Sequence, residues 1–118
     1  MAVYSRALLS GSTNGRAIPV AAIVTPGTLI HTATSEGSGF DEVYLWVSNV
    51  TAAAATLTVE WGGVTDPGDH IVKAYPVPAN SPPIPIVTGQ VLKGGLLCRA
   101  FSPTANALNV SGFVNRIQ

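Results

Sequence analysis

The chain is predicted to be all-β, a single-domain antiparallel β-sandwich of about eight strands in a Greek-key or jelly-roll-like order. Three observations carry this expectation. Segments of five to ten residues rich in Val, Ile, Leu, Thr and aromatics alternate with clusters of Gly, Pro, Asn, Asp and Ser. No long helix is visible: the one helix-favouring run, the alanines at 52–55, is short and lies between two strongly β segments, so it reads as a loop. The 118 residues suit one domain, able to bury a core without disulfides or metal.

The first strand is expected at residues 3–9. It is closed by a polar turn in which Asn14-Gly15 supplies the positive φ angles of a tight hairpin. A second follows at 17–24, and the turn dipeptide Pro26-Gly27 leads to a third at 28–33. At 42–49, Val43, Leu45 and Val47 point one way while Tyr44 and Trp46 point the other, so this strand is central or covered on both faces. At 56–61 the alternation is clean. Leu57, Val59 and Trp61 face inward, and Thr56, Thr58 and Glu60 face water or a partner.

Pro67-Gly68 turns the chain into a strand at 70–75. The run 76–85 then holds Pro76, Pro78, Pro82, Pro83 and Pro85, five positions without an amide donor. Such a run cannot be the middle of a sheet, and it is expected as an extended interaction loop across an edge or end. Strands at 96–101 and 108–114 complete the set. In the last, Leu108, Val110, Gly112 and Val114 form an inward row, which leaves Phe113 on the opposite face as an interface residue.

Charged residues make up 10% of the chain against about 25% in ordinary soluble domains, while 47% of residues are apolar. A neutral, charge-poor chain is most simply explained if neighbours cover much of its surface. The six basic residues are scattered and balanced by six acidic ones, which disfavours nucleic acid. The longest apolar stretch is far too short to span a bilayer, and no secretory signal opens the chain, so neither membrane nor export is expected.

Chemistry-bearing residues do not assemble into a recognisable constellation. His31 and His70 lack a zinc-ligand spacing, and no metal or cofactor is expected. Asp66, Asp69 and His70 surround one turn, where Asp before Pro-Gly reads better as a turn opener than as a cation ligand. Cys98 cannot form an internal disulfide and reads as a buried small residue. No Gly-x-Ser-x-Gly elbow, phosphate loop or acid/base pair of carboxylates is present, so the chain is expected not to be an enzyme. The Asn49-Val-Thr51 and Asn109-Val-Ser111 triplets match a glycosylation acceptor, which has no meaning without export.

The order Leu45-Trp-Val-Ser-Asn49, Leu57-Thr-Val-Glu-Trp-Gly-Gly63, Pro83-Ile-Pro-Ile86, Gly89-Gln-Val-Leu92, Gly94-Gly95 and Ala105-Asn-Ala-Leu-Asn-Val-Ser-Gly112 resembles small β-sandwich proteins of tailed-phage virions. The resemblance spans about residues 28–117, and within that group the capsid cement, or decoration, proteins are the most similar. It implies a subunit made in the host cytoplasm that sits on the outer capsid and clamps the major capsid protein as a homo-oligomer, a trimer by preference. A head-to-tail connector or tail component, or a carbohydrate-binding module using Trp46, Trp61 or Tyr75, are the alternatives. The expected contacts are Tyr4 and Arg6 on the amino-terminal strand, the five prolines of 76–85, Phe113, and Arg116 in the carboxy-terminal tail.

Overall fold

Nine strands follow one another in the computed structural model, which describes residues 3–118: β1 (Tyr4–Leu8), β2 (Ile18–Pro19), β3 (Thr28–Thr32), β4 (Phe40–Asn49), β5 (Ala55–Trp61), β6 (His70–Val77), β7 (Ser81–Leu92), β8 (Leu97–Phe101) and β9 (Leu108–Ile117). They form two antiparallel sheets. The larger runs β1-β9-β4-β7, with β2 lying beside β9 ahead of β1's partner residues, and the smaller runs β3-β8-β5-β6. The pairs β3–β8, β4–β7 and β5–β6 nest inside the pairing of β1 and β2 with β9, as in one long hairpin. That hairpin is rolled so that β9 also meets β4 and β8 also meets β5, which is the jelly-roll arrangement of two stacked sheets.

The core lies between the sheets. The inward rows anticipated from alternation meet there: Val43, Leu45 and Val47 of β4 and Leu108, Val110 and Val114 of β9 face Leu57 and Val59 of β5, all fully buried. Each such side chain contributes about 1.5–3 kcal/mol through burial. β4 is central, flanked by β9 and β7. Gly112 occupies the one inward position of β9 without a side chain, because a Cβ there would lie 1.9 Å from the Tyr44 carbonyl oxygen.

Four expectations need correction. The proline run is not a loop: Pro76 is the penultimate residue of β6, Pro78 lies in the connecting turn, and Pro82, Pro83 and Pro85 belong to β7, the longest strand. The missing amide donors are tolerated because β7 is an edge strand, and its pairing with β4 shifts register at three places. The segment 17–24 keeps only two paired residues, and β1 and β2 both lie against β9 rather than against each other. Asn14 and Gly15 do take positive φ, but within the loop between them. Residues 115–117 are not a tail, since they are held in β9 between β1 and β4.

The fourth correction concerns β5, whose predicted solvent face is covered. Glu60 is fully buried: its carboxylate accepts the Gly27 amide N–H at 2.7 Å and the Thr25 hydroxyl, which fastens the loop before β3 over the smaller sheet. Thr58 is buried beside a β6 irregularity, where its hydroxyl oxygen accepts the Ala74 N–H at 3.0 Å.

Candidate interaction surface

Cross-strand register builds the outer face of the larger sheet row by row. Leu8, Phe113, Tyr44 and Thr88 form one row; Arg6, Asn115, Glu42 and Val91 form the next toward Tyr4. The Phe113 ring stacks on Tyr44 with centroids 5.0 Å apart and lies 6.0 Å from Trp46. The Arg6 guanidinium sits 4.4 Å over the same ring. Tyr44 in turn reaches over β7, so that a Cβ on Gly89, itself at φ +97°, would stand 3.2 Å from the Tyr44 hydroxyl. The large ring thus covers an edge glycine, and the aromatics form a half-exposed platform across β9 and β4.

Beyond the platform toward the β1 edge, exposure rises. Tyr4 is 68% and Leu8 57% exposed, and Val91 is exposed at the opposite edge. Of the residues singled out from sequence, the structure brings Tyr4, Arg6 and Phe113 onto this one face and leaves Pro76, Pro78, Pro82, Pro83 and Pro85 exposed along β6, β7 and their turn. Arg116 is not among them. Its side chain turns inward and donates from Nε to Asp41 Oδ1 at 2.8 Å and from a terminal nitrogen to Oδ2 at 2.9 Å.

Asp41 anchors a polar clamp that sequence reading missed, because its members are scattered along the chain at 31, 41 and 116. His31 Nδ1 accepts the Ser10 amide N–H at 3.0 Å, so the ring proton sits on Nε2 and is donated to Asp41 Oδ2 at 2.7 Å. The Thr34 amide adds a further bond to Oδ2 at 3.1 Å. Burial holds the His31 pKa below its ordinary 6.5 despite the bond and charge of Asp41. For Asp41, burial pushes the pKa upward, yet the hydrogen bonds from Arg116 and His31 outweigh it and leave the carboxyl below its ordinary value. A neutral imidazole therefore joins β3 of one sheet to β4 and β9 of the other.

Ser10, His31 and Asp41 contain the residue types of a hydrolytic triad in the wrong geometry. The contact to His31 comes from the Ser10 amide, while the Ser10 hydroxyl accepts the Thr32 N–H at 2.6 Å. The imidazole is fully buried and its Nδ1 lone pair is engaged. The clamp's chemistry is therefore structural.

The turn at 66–70 disperses its charges. Asp66 binds Lys73 at 2.7 Å, and Asp69 accepts the Thr65 amide at 3.0 Å. His70 is nearly buried, with Nδ1 3.4 Å from Asp66 and Nε2 4.0 Å from Glu60, so the two carboxylates approach different ring nitrogens and share no centre. Among the described residues, no group of three His, Cys, Asp or Glu could hold a metal ion. Asn49, fully buried, donates to the Ala53 and Val77 carbonyls and accepts from Thr51, so its amide belongs to the β4–β5 loop. Cys98 is buried, and burial raises its thiol pKa to about 12. Two open clefts of about 280 Å³ lie elsewhere, one beside Arg16 and one beside Leu96 and Arg99. No helix among the described residues is long and apolar enough to cross a membrane. No protein-family model, curated protein or solved structure matches the chain.

Proposed function

We propose that this chain is a non-enzymatic virion structural protein that binds and stabilises an assembled phage capsid as a cement, or decoration, subunit. Its partners in this reading are the major capsid protein and further copies of itself, with a trimer preferred. The observation that carries the reading is the outer face of the larger sheet. In a chain with few charges, that face sets the Phe113, Tyr44 and Trp46 platform beside the exposed Tyr4 and Leu8. Apolar and aromatic surface with sparse charge is the composition of an interface core. Two of the six acidic groups, Asp41 and Glu60, are buried and internally bonded, which leaves still less charge for water. Jelly rolls serve in capsid and lectin domains alike, so the architecture agrees with the reading only by analogy.

A symmetric oligomer touching several capsid subunits gains avidity even from modest patches. Purified protein mixed with expanded capsid shells lacking it is expected to co-sediment with them, to raise their disruption temperature, and to sediment alone as a trimer. DNA and lipid vesicles are expected not to bind. Failure to bind shells, together with binding to portal or tail complexes, favours the connector alternative.

The partial exposure of Trp46 beside Tyr44 supports a second reading, a carbohydrate-binding face. Trp61 contributes less, being packed against the core. Binding to a glycan array that is lost in Trp46→Ala would replace the cement reading with this one.

A further inference from the structure

We propose that the outer edge of β1 takes up an extended segment of the capsid partner as an added strand. That segment carries an acidic side chain opposite Arg6 and apolar side chains opposite Tyr4 and Leu8. The partner's identity rests on the proposed function; the chemistry of the edge does not.

The two sheets end in five edge strands, β1, β2, β7, β3 and β6; β2 is only two residues long and includes Pro19, and three of the other four are guarded. β7 carries Pro82, Pro83 and Pro85 and three register shifts. β6 carries Pro76, two shifts and Ala74 at φ 50°. β3 is broken by a register shift between Leu29 and His31. Prolines and bulges block any added strand, whereas a lone edge charge such as Arg6 repels only a strand that brings a like charge opposite it. β1 has neither proline nor bulge: Tyr4 to Leu8 pair with Ile117 to Phe113 in unbroken register. Among the described residues, β1 pairs on one side only. A regular, proline-free edge with exposed apolar side chains is a template for strand addition.

Charge selects the occupant. Arg6 is the central residue of β1, exposed, and without a carboxylate partner among the described residues. Two copies joined antiparallel through β1 over its full length would set Arg6 against Arg6, and like charges directly opposite are destabilising. Shifting the register by two residues to separate them shortens the pairing to three residues and loses either Tyr4 or Leu8. A foreign strand with an acidic residue at its centre meets Arg6 favourably. Its alternate residues, two positions away on each side, fall on Tyr4 and Leu8. On the opposite face it meets only the small Ser5 and Ala7, which leaves room for side chains of ordinary size.

The test is a titration of isotope-labelled protein with two end-capped peptides, Thr-Val-Thr-Glu-Thr-Val-Thr and the same peptide with Lys at the centre. Backbone amide shifts and hydrogen-exchange protection are followed strand by strand. The glutamate peptide is expected to shift and protect β1 amides while leaving β3, β6 and β7 unchanged, and to bind about tenfold more tightly than the lysine peptide. Arg6→Glu, a change at an exposed position, is expected to invert that preference. Unresponsive β1 amides, responses at another edge, or equal binding of both peptides to both proteins would overturn the proposal. If β1 takes the glutamate peptide but the protein fails to bind capsid shells, the edge assignment stands and the capsid reading falls. Shell binding without protection of β1 has the opposite meaning.

Discussion

Arg116 holds both carboxylate oxygens of Asp41 at 2.8 and 2.9 Å, across adjacent strands of the larger sheet. The fork-to-fork geometry fixes Asp41 so that its Oδ2 can also accept hydrogen bonds from His31 Nε2–H and the Thr34 amide, and in this way the pair ties β9 and β4 to β3. Asp41→Asn keeps the shape and removes the charge. It is expected to destabilise the protein by about 2–3 kcal/mol in urea unfolding, below the ~3–5 of a fully buried pair because Arg116 keeps some access to water. A change within about 0.5 kcal/mol would mean that the clamp contributes little.

The same clamp sets the acid response. His31 has a folded pKa below its ordinary 6.5, so between those values the unfolded chain binds the proton more readily and stability falls as pH drops below 6.5. Asp41, with its lowered folded pKa, contributes stability that is present above its ordinary 3.8 and is lost as pH falls through the folded value. Both effects have the same sign. Urea midpoints are expected to decline from about pH 6.5 downward, and His31→Gln, although less stable at pH 7, is expected to decline less steeply between pH 6.5 and 5.

Gly112 tests the packing of β4 on β9. Its φ of 155° and the Tyr44 carbonyl 1.9 Å from any added Cβ leave no room for a side chain. Gly112→Ala is expected to cost at least about 3 kcal/mol through overpacking and strain, whereas Gly37→Ala, where nothing lies within 4 Å, should stay within about 0.5 kcal/mol. Thermal or urea unfolding of the two variants side by side decides the matter.

On the aromatic platform, Phe113 is the shared member of three contacts, with Tyr44, Trp46 and Arg6. Phe113→Ala is expected to destabilise by about 1–3 kcal/mol, from lost area and the ring pairs. A double-mutant cycle with Arg6→Ala should return a coupling of about 0.5–1 kcal/mol for the cation over the ring. Zero coupling would place Arg6 elsewhere in solution.

Cys98, buried with its thiol pKa raised to about 12, is expected to resist a thiol-specific reagent in the native protein. Labelling should appear only with global unfolding, and rapid native labelling would contradict its place between the sheets.

The alternating strands were legible in the sequence because one buried face imposes period two: Val43, Leu45 and Val47, and Leu108, Val110 and Val114, lie in the core as their spacing predicts. Of β7, the extended course along an edge was legible from its prolines, which bar a central position, but its pairing with β4 as the longest strand was not, because local composition does not give the partner. Glu60 was misread for a related reason: its position on β5 is the outer one, but a loop from 33 residues earlier folds over it. Of the face proposed as an interaction surface, Tyr4, Arg6 and Phe113 stood out individually in the sequence. That register would stack Phe113 on Tyr44 and place Arg6 above it required the pairing of β1 and β4 with β9. Arg116 looked like a free terminal cation until its partner, 75 residues away, was in view.

The most direct test of the cement reading is electron cryomicroscopy of virions assembled with this chain. Jelly-roll density is expected at three-fold or quasi-three-fold positions on the outer capsid, with the Tyr4, Arg6 and Phe113 face turned toward the major capsid protein. Density confined to the neck or tail, or particles that lack the chain altogether, would contradict it.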